Sequence, residues 1–69
     1  MMSEKLKNKR LDLFVALQKV KDIASDDCEM AEAELDEYQC GQSKSYTAAC
    51  AIEQQCEVAR ENIMKEFNN

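Results

Sequence analysis

Cysteine is the one versatile reactive side chain that this sequence uses heavily. Cys28, Cys40, Cys50 and Cys56 occur in a chain of 69 residues that has no histidine. Thiols in such a pattern can form disulfides, hold a metal, or pack as small hydrophobes. The gaps read Cys28-x11-Cys40-x9-Cys50-x5-Cys56. Structural zinc and iron–sulfur sites use closer ligand pairs, so metal is the weakest of the three. Without histidine the commonest general base and metal ligand is missing. No Gly-rich phosphate loop, nucleophile elbow or metalloprotease motif is present. Asp26, Asp27, Glu29, Glu32, Glu34, Asp36 and Glu37 form a solvated acidic run, not a buried acid–base pair. The reading is a non-enzymatic chain with no catalytic residue, no metal site and no cofactor.

The elements that would position these cysteines are helical. There is no proline and a single glycine, which removes most turn punctuation. Ser3 is an N-cap candidate. Leu13, Leu17, Val20, Ala24, Cys28, Ala31, Leu35 and Tyr38 then recur at spacings of three and four, the period of one helix face. Ala49, Ile52, Cys56, Ala59, Ile63 and Phe67 repeat the pattern further on. Gly41 is expected as a left-handed residue closing the first helix, with Ser43 or Ser45 capping the next. The expected fold is all-α: one domain over 1–69, a helix over about 4–40, a turn at 41–45, and a helix over about 46–67, folded as an antiparallel hairpin. One alternative stays open. Ser25-Asp26-Asp27, with Asp26 and Glu29 at capping-box spacing, would break the first helix near Ser25 and give a three-helix bundle.

Helix register converts this layout into cysteine pairings. With the reversal between Cys40 and Tyr46, Cys28 lies about 18 Å before the turn and Cys56 about 15 Å after it, nearly level. Cys40 and Cys50 flank the turn. The expected staple is therefore nested, Cys28–Cys56 outside and Cys40–Cys50 inside. The outer bond would stabilise by about 3–4 kcal/mol on a chain-entropy estimate. Reduced core thiols and a thiol–disulfide switch at the turn are the competing readings.

The Cys40-x9-Cys50 spacing resembles that of the coiled-coil-helix-coiled-coil-helix proteins, whose C-x9-C pairs lie within each helix of a stapled hairpin; here the pair straddles the turn. The same loop is similar to that of the small redox-regulated linker protein of the Calvin cycle, without its tryptophan-containing helix after the second cysteine. Both resemblances are confined to the turn, and no function is carried across from either.

Charge and length bound the function. Residues 1–21 carry six basic groups (Lys5, Lys7, Lys9, Arg10, Lys19 and Lys21) and two acids; residues 22–69 carry twelve acids and three bases. The overall net charge of −5 disfavours nucleic acid as a partner, although the basic segment keeps an anionic surface open as a third reading. No segment is apolar and long enough to span a membrane. The apolar stretch Leu13 to Leu17 is too short for a signal peptide, so the default location is the cytosol, with an oxidising compartment suggested by the cysteines. In the expected register the first helix outruns the second, leaving residues 4–20 without a partner. Leu6, Leu11, Leu13, Phe14, Leu17 and Val20 on that overhang are the candidate partner-binding residues. They point to a helical interaction protein (adaptor, inhibitor or assembly factor) that meets another protein or a second copy. A redox-responsive regulator is the alternative.

Overall fold

In a computed structural model, which describes residues 2–67, the chain forms α1 (Glu4–Glu34), α2 (Glu37–Gln42) and α3 (Lys44–Phe67). α1 and α3 lie antiparallel, and the six-residue α2 closes the bend between them. The molecule is a rod, 49 × 16 × 15 Å along its principal axes. Its length follows from α1, whose 31 residues span about 46 Å at 1.5 Å per residue.

Each end of α1 has a local cause. Ser3 is the N-cap; its Oγ accepts a hydrogen bond from the Leu6 N–H at 3.2 Å, satisfying one of the donors that a helix start leaves unpaired. At the other end Leu35 turns extended, with φ −111° and ψ 149°. Asp36 then caps α2 in a capping box. Asp36 Oδ1 accepts from the Gln39 N–H at 2.7 Å, and Gln39 Oε1 accepts from the Asp36 N–H at 3.1 Å. Ser43 ends α2 and caps α3, its Oγ accepting from the Tyr46 N–H at 3.1 Å.

One open alternative is closed here and two expectations are corrected. α1 runs unbroken through Ser25, so the break that would give a three-helix bundle does not occur there. Ala24, Cys28 and Ala31 keep the apolar stripe in phase across that point, and both Ala24 and Cys28 are buried. The break falls ten residues later, at the equivalent Asp-x-x-Gln spacing of Asp36 and Gln39, where the stripe runs out: Tyr38, its expected last member, is 76% exposed. The first helix therefore stops at Glu34 rather than near residue 40. Gly41 is helical inside α2 with no positive φ; the left-handed closing residue expected there is replaced by extended Leu35 and Ser43.

The core is thin and built of small side chains. Ala24, Cys28, Cys40, Ala49, Cys56 and Ile63 are buried. Alanine and cysteine let the two helix axes approach closely, and Ile63 is the single large side chain among them.

Candidate functional site

The bend sets which residues face each other. Lys21 Nζ lies 4.0 Å from Glu57, Cys28 Sγ lies 3.3 Å from Cys50 Sγ, and the Tyr46 hydroxyl donates to Glu32 at 2.7 Å. Each step toward the bend along α1 is matched by an equal step along α3: seven residues from Lys21 to Cys28 and from Glu57 to Cys50, then four to Glu32 and to Tyr46. The register is thus continuous, and it places Cys50 rather than Cys56 opposite Cys28. The expected pairings Cys28–Cys56 and Cys40–Cys50 are not formed. All four cysteines are free thiols, and the closest sulfurs are those of Cys28 and Cys50. The displacement is six residues, about 9 Å of helix, because the reversal begins at Leu35 and not at Gly41.

The thiols occupy three settings. Cys28 shares a hydrogen bond with Cys50, which is the main reason its pKa is raised to about 11; burial and the nearby Cys50, Glu53 and Asp27 add to the shift. Cys40 is raised by burial first, then by Glu32 and Asp36; its thiol donates to the Ala31 carbonyl at 3.8 Å. Cys56 is buried in the core, six residues beyond Cys50. Tyr46 joins the cluster: hydrogen bonds to Glu32 and then Cys50 push its pKa upward. Among the described residues no group of three or more histidine, cysteine or acidic side chains converges as a metal site, and no helix is long and apolar enough to cross a membrane.

The apolar residues divide differently from expectation. Arg10 pairs with Glu66 at 2.9 Å near the end of α3, so the overhang covers only the residues before Arg10, not residues 4–20. Of the six candidates, Leu6 alone projects past α3. Phe14 lies beneath the Arg60 guanidinium, 4.6 Å from ring centroid to Cζ, a cation–π contact. Leu17 is half-buried, whereas Leu11, Leu13 and Val20 stay exposed although α3 runs beside them.

Val20 opens onto a groove that the sequence did not reveal. It runs between α1 and α3 and is lined by Val20, Ile23, Ala24, Ala48, Ala49 and Ile52. It continues past Asp27 and Ser45, which border both stretches, toward Met30, Ala31 and Leu35. Ile23 is 61% exposed and Met30 62%. Leu6 and Leu13 precede Val20 at seven-residue intervals, two helix turns each, and extend the same face to the open end. Ile23 and Met30 repeat that interval and were the available signal.

No family model, curated protein or solved structure matches this chain.

Proposed function

We propose that this chain is a small non-enzymatic helical interaction protein that acts through the groove face, and that the occupant of the face is a second copy of the chain. One observation carries the reading: too much surface is exposed for a folded monomer of this mass. The chain exposes 5541 Å². A compact monomer of 7.9 kDa exposes about 4,400 Å². The surplus of roughly 1,100 Å² exceeds the area of about 800 Å² that each partner contributes to a standard interface. The radius of gyration, 15.5 Å, against about 11 Å for a compact domain of this length, says the same.

Charge distinguishes the arrangements. The half of the hairpin nearest the bend, residues 24–54, carries eight acids and one base, Lys44; the open half carries eight bases and six acids. A parallel pairing would set two acidic ends side by side. An antiparallel, isologous pairing lays the basic open end of each copy on the acidic bend of the other. The groove faces then meet as a four-helix layer, with Val20 and Ile23 near the two-fold axis.

Light scattering across a concentration series tests this. The expected result is twice the monomer mass, returning to the monomer mass in Ile23→Glu, where a carboxylate would be buried at the interface. A monomer at every concentration rejects the reading.

A second reading, in which folding or pairing responds to cysteine oxidation, is favoured by the contact between the Cys28 and Cys50 thiols.

A further inference from the structure

We infer that Cys28 and Cys50 form a dithiol–disulfide pair, which a small-molecule disulfide of the glutathione type oxidises to a bond across the hairpin. The inference deepens the redox reading by naming its site and co-reactant. It stands on sulfur geometry and does not require the second copy.

Three observations select this pair. The two Sγ atoms are 3.3 Å apart on facing helices, so bond formation asks them to close by about 1.2 Å, within the reach of side-chain rotation. The register that brings them level is held on both sides, by Tyr46 with Glu32 and by Lys21 with Glu57. The other two thiols are placed elsewhere: Cys40 is turned to the Ala31 carbonyl and Cys56 lies deeper along α3.

The chemistry balances as two exchanges. Cys50, the more exposed of the pair, loses its proton to solvent and attacks one sulfur of the small disulfide. The S–S bond breaks, the first small thiolate departs and is protonated, and Cys50 carries a mixed disulfide. Cys28 then loses its proton and attacks the Cys50 sulfur, releasing the second small thiolate, which is protonated in turn. The protein gives up two electrons and two protons; one small disulfide becomes two thiols. Cys28 faces Cys50 and Glu53 from α3 and Asp27 from its own helix. Its raised pKa, about 11, keeps its thiolate scarce near neutrality. Each exchange needs a thiolate, so oxidation of the pair quickens as pH rises.

The test uses the wild-type chain, incubated with oxidised glutathione and then cleaved without reductant after lysine and glutamate, which leaves each cysteine on its own peptide. The expected product links the Cys28 peptide to the Cys50 peptide, in a chain that has lost two hydrogens and whose Tm rises by about 10 °C until reductant is added. The paired variant Cys40→Ala/Cys56→Ala should form the same bond, with helicity confirmed by circular dichroism. A Cys28–Cys56 or Cys40–Cys50 linkage overturns the assignment. So does a lasting glutathione adduct without ring closure, or a bond between chains. Light scattering on the same samples reports self-association separately, so either idea can fail alone.

Discussion

The two ends of the hairpin are held by different physics. Around the bend the contacts are short and directional: the reciprocal Asp36 and Gln39 bonds, the Ser43 cap, the Tyr46 hydroxyl on Glu32, and two thiols in contact. Toward the open end they are made by long side chains. Arg10 reaches Glu66, Arg60 lies over Phe14, and Ile63 supplies the one large buried group. Half-exposed ion pairs of the Arg10 kind contribute little to stability. The bend thus sets which residues meet and buries the small side chains Ala24, Cys28, Cys40 and Ala49, while the open half relies on Cys56 and the larger Ile63. The apolar face left uncovered along both halves is what the second copy is proposed to bury.

That division makes graded predictions. The largest effect belongs to Ile63→Ala, which should cost about 2–3 kcal/mol, a large part of the stability of so small a core; thermal melting by circular dichroism measures it. If Asp36→Ala proves costlier than Ile63→Ala, the contrast between the ends is reversed. Asp36→Ala should cost about 1 kcal/mol and speed amide exchange in α2 before α1.

Tyr46→Phe comes next, with a drop of a few degrees in Tm from the lost bond to Glu32. Its pH dependence has a definite sign. Hydrogen bonding raises the Tyr46 pKa in the folded chain, so its neutral form is the one that folding favours. The advantage over Tyr46→Phe is complete below the ordinary phenol value, about 10, and falls away at higher pH as the phenol ionises. An advantage that persisted undiminished after the phenol ionises would contradict a stabilising Tyr46 hydroxyl bond to Glu32. The smallest effect is Gly41→Ala. Gly41 is helical, and nothing lies within 4 Å of an added Cβ. Alanine should therefore stabilise by about 0.5 kcal/mol; a loss would mean that Gly41 is left-handed and the bend is built differently.

The same contrast explains what could be read from the sequence. Helix content, the antiparallel hairpin, the Ser3 cap and the role of Ser43 follow from local patterns, because caps and apolar periods are encoded within a few residues. Register is not local. Asp26 with Glu29 and Asp36 with Gln39 have the same spacing, and only the packing of Ala24 and Cys28 against α3 decides that the first pair stays inside a helix. Placing the bend six residues' worth of register away exchanged Cys50 for Cys56 opposite Cys28. It also set the candidate residues Leu11, Leu13, Phe14, Leu17 and Val20 beside α3 instead of on an overhang, with Val20 lining the groove and Phe14 under Arg60. Ile52, a member of the second stripe, completes that groove with Ile23 and Ala48, which lie beside the two stripes.

The most direct measurement of the account is the mass of the wild-type chain by light scattering from micromolar to millimolar concentration, beside Ile23→Glu. The account predicts a wild-type dimer that dissociates on dilution and a variant that remains monomeric with its helicity intact. A wild-type monomer throughout, or a variant that dimerises as readily, would contradict it.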